Sequence, residues 1–404
     1  MERTFVKPKI IKDLENSILN KEENSLEKFW YHIDKVGTPL IEKFEDLEEY
    51  DLVTLIYKEE KKLDNVVLIP PVGMRKLEKC IMNKVYGTDV WYISYKVKND
   101  ISFTYQFSPN DPLDNDWNRR WKNVKGDIFN KKAILHFDKS INVERMVPYV
   151  NLENARKKFF VNKNKNSKEG NIKEYFIFSN ILNENRKFKV YFPYEYDENK
   201  KYKLVVLNDG IEYLRILNAK NILDNLIQMK RIPPVIAVFI ESTNKRAENL
   251  KCSDNFSKFI CLELMEFLYK NTSISNKPKD KVIGGYSLGG LEASYVALKY
   301  SNIFGNVLSQ SGSYWYKKDN YNENEPWIVN EFKKVHKLPI NFYINVGSIE
   351  PKVSMIDTNI EFKNNLINLG YNVKFDFFGS GHDYLYWDET LADGLIYLLN
   401  IAID

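Results

Sequence analysis

The first part of the chain alternates short apolar runs with charged or Gly/Pro turns. Between Leu52 and Phe107 the runs LVTLIY, NVVLIP, VWYISYKV and SFTYQF are rich in β-branched and aromatic residues. This pattern predicts the antiparallel strands of an N-terminal β-sandwich domain. Ahead of them Ile11, Leu14, Ile18 and Leu26 recur among charges and predict a helix over 11–30. Ser108–Trp121, SPNDPLDNDWNRRW, reads as a loop whose two tryptophans pack on the sheet. The most polar stretch, NKNKNSKEGN at Asn162–Asn171, predicts a linker. The expected division is therefore a domain over 1–161, a linker over 162–171 and a second domain over 172–404.

Beyond the linker the pattern changes. The strands EYFIFS, KFKVYFP, KLVVLN, PVIAVFIE, KVIGG, NVLSQSG, INFYINVG and VKFDFFG are interleaved with helices near Leu214–Met229, Phe256–Tyr269, Leu291–Lys299 and Asp357–Leu369, and a last helix runs to the C-terminus. Short apolar strands alternating with helices predict an α/β domain with a mainly parallel sheet and helices on both faces.

The chemistry concentrates in that second half. Gly285-Tyr286-Ser287-Leu288-Gly289 is a G-x-S-x-G between an apolar strand and a helix, the context in which a serine nucleophile sits on a sharp turn. Small residues two positions either side of the serine let strand and helix approach closely. The N–H of Leu288, at the helix start, points toward a developing oxyanion. A second oxyanion donor is expected from the loop after KLVVLN, at Ile211.

A serine at neutral pH needs a base, and the chain has four histidines. In the chain order serine, acid, histidine, only His336 and His382 follow Ser287. His336 lies in the charged stretch EFKKVHKLP and reads as a solvated side chain. His382, in the Gly-rich loop FFGSGHDYLYW after the last strand, is the expected base. The acid should follow the preceding strand. Glu350 stands at its end, and Asp357 is the alternative, with a plain reading as a helix-cap residue. Asp383, next to His382, is expected to point elsewhere.

Composition narrows the partners. A net charge of +4 over 59 basic and 55 acidic residues is too small for a nucleic-acid footprint. At roughly 100–200 residues per domain, 404 residues predict two or three domains. Cys80, Cys252 and Cys261 form no C-x-x-C pair, which suggests neither a disulfide framework nor a zinc site and fits a reducing compartment. Met1–Asn20 lacks the apolar core of a secretory signal, and no run of about 18 apolar residues suggests a membrane span. The sequence implies no catalytic metal or cofactor.

Several longer motifs carry a family resemblance: VLNDG at Val206–Gly210, RAENL at Arg246–Leu250, GGYSLGGLEA at Gly284–Ala293, VLSQSGSYWY at Val307–Tyr316, SIEP at Ser348–Pro351 and GHDYLYW at Gly381–Trp387. With GTDVWYISY, FTYQF and NDPLD in the first half, the chain resembles the enterochelin esterases, cytoplasmic hydrolases of catecholate siderophore trilactones. The resemblance implies an α/β-hydrolase of the esterase D type after a β-sandwich, and as substrate ferric enterobactin or a related trilactone such as bacillibactin, with the iron as cargo. Ser287 and His382 carry over as nucleophile and base, and Glu350 carries over at SIEP. The longer interval between Glu350 and the next helix keeps Asp357 open, and Ser380 stands where the family has a glycine. An anionic, aromatic substrate calls for cations and flat side chains, which nominates Arg246, Trp315 and Trp387 as substrate contacts. Each has a structural alternative: Arg246 as a partner of Glu248, and either tryptophan as core. The loop around Trp117 and Trp121 is a further expected contributor.

Overall fold

The computed structural model describes residues 1–44, 47–69, 77–138, 143–163 and 168–399. The chain divides into two compact units, residues 1–156 with 379–385, and residues 157–378 with 386–404.

In the first unit, helices α1 (Lys9–Leu19) and α2 (Ser25–Val36) replace the single helix expected over 11–30. The intervening NKEEN has no apolar position to bury, and Lys21 and Asn24 turn the chain through left-handed conformations. The strands are β1 (Glu2–Thr4), β2 (Leu40–Lys43), β3 (Tyr50–Lys58), β4 (Val66–Ile69), β5 (Asn83–Lys84), β6 (Val90–Lys98), β7 (Ser102–Thr104), β8 (Gln106–Pro109), β9 (Ala133–Asp138) and β10 (Val143–Asn151). They form an antiparallel sheet in the order β1-β6-β3-β2 with β5 on β6, a three-stranded sheet β7-β10-β9 and a pair β4-β8. Ile11, Leu14, Phe29, Trp30 and Ile33 of the two helices cover Ile56, Val90 and Tyr92 of the largest sheet.

Part of the stretch expected to be a loop over 108–121 is helical. Asp116 caps the short helix α3 (Trp117–Asn123) by accepting from the Arg119 N–H. Its Trp117 and Trp121 pack on each other, with ring centroids 5.7 Å apart. Arg120 is buried and held by Asp111 through Nε at 2.6 Å and NH2 at 3.0 Å.

The second unit contains one eight-stranded sheet of β11 (Asn171–Ser179), β12 (Glu184–Phe192), β13 (Lys203–Leu207), β14 (Val235–Ile240), β15 (Lys281–Tyr286), β16 (Asn306–Gln310), β17 (Asn341–Gly347) and β18 (Asn372–Phe378). Their order is β11-β12-β14-β13-β15-β16-β17-β18. β11, β12 and β14 pair antiparallel and all the later pairs are parallel. β14, β15 and β16 are buried along their whole length, as strands covered on both faces must be.

The helices of this unit are α4 (Gly210–Arg215), α5 (Ala219–Gln228), α6 (Arg246–Asn249), α7 (Asp254–Lys258), α8 (Met265–Asn271), α9 (Leu288–Lys299), α10 (Trp327–Lys333), α11 (Thr358–Asn368) and α12 (Trp387–Leu398). The helix expected over Leu214–Met229 is two, α4 and α5, broken at Asn218, whose φ is 51°. A π-helical turn, Phe259–Leu264, joins α7 to α8, and another, Lys352–Asp357, leads into α11. Among the described residues no helix is long and apolar enough to cross a membrane.

The division falls ahead of the polar segment 162–171, of which 164–167 lie outside the described residues. Lys158 pairs with Asp388 at 2.6 Å, the Phe159 N–H donates to Glu389 at 3.1 Å, and Asn225 Nδ2 donates to the Phe160 carbonyl at 2.7 Å. These bonds fold 158–160 onto the second unit, so the chain changes partners before its polarity changes. The described ends of the polar segment are tied down as well: the Gly170 N–H donates to Asp224 Oδ1 at 2.8 Å, and the Asn162 carbonyl accepts from Asn225 Nδ2 at 2.9 Å.

A buried acid also shapes this unit. Glu292 of α9 is wholly buried and accepts from Ser257 Oγ at 2.9 Å and the Ser253 N–H at 3.1 Å. Burial pushes its carboxyl up from 4.5 to about 8, against those hydrogen bonds. The native chain thus keeps a proton that the unfolded chain has lost, and the stability this gives is full below 4.5 and declines as pH rises to about 8. Glu292→Gln mimics the neutral acid and cannot ionise. Between pH 5 and pH 8 its unfolding free energy should gain roughly 3–4 kcal/mol on the wild type, read by urea unfolding. Parallel curves for the two proteins would remove the buried ionisation from the account.

Candidate active site

Ser287 occupies a sharp turn between β15 and α9, at φ 55° and ψ −123°, a conformation that costs a non-glycine residue about 1–3 kcal/mol. The turn is held from both sides: the Ser287 N–H donates to the Gln310 carbonyl at 2.9 Å, and the Ser313 N–H donates to the Ser287 carbonyl at 3.0 Å. A Cβ at Gly285 would come within 2.7 Å of the Gly289 backbone, so the strand and helix ends touch only because the former is glycine. Ser287 and Leu288 are half-buried, and Leu288 is the first residue of α9.

The segment after β13 packs on this turn. Asn208 Nδ2 donates to the Gly289 carbonyl at 3.2 Å, and a Cβ on Gly289 would meet Asn208 at 3.3 Å and the Asp209 carboxylate at 3.6 Å. Ile211, expected in a loop, stands in the first turn of α4, where backbone N–H groups lack partners within the helix. The two expected donor segments are thus adjacent.

Arg246, also expected in a loop, opens α6. It pairs with Asp209: Nε and NH2 each lie 2.6 Å from a carboxylate oxygen. Asp209 is completely buried in its side chain and adopts φ 55° immediately before α4, so this bidentate pair fixes the turn that precedes Ile211. The guanidinium also lies 5.8 Å from the centre of the Tyr286 ring. Removing one member of a buried pair leaves an uncompensated charge. Arg246→Met should cost about 3 kcal/mol in unfolding free energy and lower kcat, measured by urea unfolding and ester hydrolysis.

The two nominated tryptophans differ. Trp315 is 43% exposed, in the segment after β16. Trp387 is 3% exposed, starts α12 and stacks on Tyr286 with centroids 4.4 Å apart and an interplanar angle of 15°. It opens a helix where a loop was expected, and its ring packs in the core against Tyr286. Its Nε1 donates to Ser311 Oγ at 3.1 Å.

Glu350 and Asp357 separate clearly. Glu350 is 4% exposed and its Oε1 accepts from Ser311 Oγ at 2.5 Å and the Gly347 N–H at 2.8 Å. Asp357 has a 44% exposed side chain and pairs with Lys352 at 3.1 Å. His336 is exposed after α10.

His382 lies half-buried on Gly379–Leu385, the loop after β18 that belongs to the first unit. Three features shape that loop. The Ser102 N–H donates to the Gly379 carbonyl at 2.8 Å, a Cβ at Gly379 would lie 2.3 Å from the Asp100 carbonyl, and the ring of Tyr384 packs 5.4 Å from that of His136. The Asp383 carboxylate is occupied within the loop and its support, accepting from Thr104 N–H and Oγ1, from Ser380 Oγ and from the Leu385 N–H. Burial lifts its carboxyl to about 6 in spite of those donors.

Sequence reasoning did not find Asp209, Ser311 or Ser313 as parts of this site. The available signal was the cluster of small polar residues in SQSGSY, directly after the strand beside the serine. Among the described residues no group of three His, Cys, Asp or Glu side chains is arranged to hold a metal ion.

The site can be set beside known proteins. The iron(III) enterobactin esterase of Escherichia coli K12 is 29% identical over 197 residues, an alignment in which this chain spans about half, 48%, of that relative's length. The iron(III) enterobactin esterase of Dickeya dadantii is 22% identical over 95% of both chains. The crystal structure of ferric enterobactin esterase from Salmonella typhimurium superposes with a TM-score of 0.77 at 21% identity, covering 92% of this chain and 98% of that one. Residues 179–398 match the Esterase family model, which takes in β12 to α12 and with them the Ser287 turn, Glu350 and His382. More than half of the chain carries that signature, and it belongs to the Esterase family.

Proposed function

We infer that this chain is a serine carboxylic-ester hydrolase that cleaves the ester bonds of a catecholate siderophore trilactone, ferric enterobactin or a close relative, and so frees its iron. The observation that carries the reading is the strained Ser287 turn with its flanking glycines, in a chain that aligns over 95% of its length with the iron(III) enterobactin esterase of Dickeya dadantii. The three antiparallel sheets of the first unit support its reading as the β-sandwich that precedes the catalytic domain, and three buried cysteines fit a cytoplasmic setting.

In the mechanism, His382 takes the Ser287 proton while Oγ forms a bond to a seryl ester carbonyl carbon. The carbonyl oxygen becomes an oxyanion facing the N–H groups of Leu288 and Ile211. The carbon to alkoxide bond then breaks, and His382 passes its proton to the leaving oxygen. Water, deprotonated by His382, attacks the acyl-serine, and release of the carboxylic acid restores Ser287. Glu350 keeps the imidazole oriented and balances its charge. Iron enters only as cargo of the substrate.

The test compares a catecholate trilactone with a short aryl ester, reading products by mass spectrometry. Cleavage of the trilactone at the higher kcat/KM supports the reading. A preference for the aryl ester by orders of magnitude would favour a general or feruloyl-type esterase on the same fold. Failure of a fluorophosphonate to label the protein would instead make it a siderophore binder.

A further inference from the structure

Two hydroxyls on one tight segment reach the nucleophile and the buried acid, and neither takes part in the proton transfers of ester hydrolysis. Ser313 Oγ lies 3.2 Å from Ser287 Oγ. Ser311 Oγ lies 2.5 Å from Glu350 Oε1, and the direction of that bond is fixed: Trp387 Nε1 can only donate, so it fills a lone pair of Ser311, whose proton goes to the carboxylate. Both serines are buried, at 0% and 1% exposure.

The segment has little freedom. Ser311 is held at φ 48°, with its N–H bound to the Asn345 carbonyl at 2.9 Å. Gly312 leaves no room for a side chain, since a Cβ would lie 2.6 Å from Ser309 Oγ and from the Tyr314 ring, and its carbonyl accepts from Asn359 Nδ2 at 2.8 Å. A rigid backbone carrying two short side chains sets hydroxyl positions closely, because each has only one torsion to fix.

We propose that Ser311-Gly312-Ser313 is a bracket that positions both the nucleophile and the acid, with Ser313 as the positioning residue for attack. Before reaction it holds Ser287 Oγ in one rotamer. As the Ser287 proton passes to His382, the Ser313 hydroxyl donates to the oxygen that is gaining charge. Ser311 holds Glu350 in a single orientation from the other end of the bracket. The inference rests on Ser287 being the nucleophile.

The test is Ser313→Ala in the full chain, assayed on the trilactone and by the rate of fluorophosphonate inactivation. Loss of one hydrogen bond at the attacking oxygen should lower both kcat and the inactivation rate constant about 10-fold, with KM within about twofold. A purely structural serine would change the unfolding midpoint without slowing inactivation. An inactivation rate within about twofold of the wild type therefore overturns the bracket. If Ser313→Ala does not fold, Ser313→Cys, a weaker donor, is read by the same two rates. Ser287→Ala run alongside separates the two ideas: activity in that variant sinks the nucleophile assignment, whereas an inert Ser287→Ala beside an unimpaired Ser313→Ala sinks only the bracket.

Discussion

Ser287→Ala should lower kcat for ester hydrolysis by roughly 10⁴-fold or more and abolish fluorophosphonate labelling, while the fold persists. The size of the loss follows from the role: without Oγ there is no acyl-enzyme, and only binding and the oxyanion donors remain to assist water. Stability should respond differently. The backbone at Ser287 sits at φ 55° and ψ −123°, where a Cβ is strained and glycine is not. Ser287→Gly should thus be as inactive as Ser287→Ala but more stable than it by about 1 kcal/mol, measured by thermal or urea unfolding. Equal stability of the two variants would show that the turn is relaxed and that its strain contributes nothing to presenting the hydroxyl.

The second large effect distinguishes the two acids. Glu350→Gln should lower kcat by roughly 10³- to 10⁴-fold, because an amide neither balances an imidazolium nor favours the tautomer that accepts the serine proton. The oxygen of the amide still accepts from Gly347 and Ser311, so the variant folds and binds substrate with an ordinary KM. Asp357→Asn should leave kcat within about twofold, since its carboxylate is exposed and its ion pair with Lys352 is screened by water. Steady-state kinetics on the two proteins decide the matter. The reverse ranking would transfer the acid to Asp357 and leave Glu350 a structural anchor of the β17 turn.

The turn at Ser287 was legible because its cause is local: glycines at 285 and 289 permit one backbone path, and an apolar strand and a helical stretch flank them. The position of Glu350 was legible for a similar reason, as an acid at a strand end. What the sequence concealed was tertiary. Arg246 and Asp209 meet across 37 positions of chain, and nothing nearby in sequence favours Asp209 over Glu248 as the partner. Trp387 directly follows a loop, and only the packing of α12 on the sheet decides that its ring lies against Tyr286 and away from solvent. The break between α1 and α2 was masked because apolar residues resume on the helical period after Asn24. The bonds that tie Lys158 to Phe160 to the second unit are likewise tertiary, and composition does not register them.

The excursion Gly379–Leu385 bears on how such a protein can be recombined. The histidine-bearing loop is encoded far from the rest of the first unit, yet its Asp383 depends on the amide and hydroxyl of Thr104, and its Gly379 on the proximity of Asp100. A chimera joined anywhere in 157–171 would pair one parent's Thr104 with another parent's loop. The heritable module is discontinuous, and an exchange of N-terminal halves preserves it only if seven residues near the C-terminus, 379–385, travel with them.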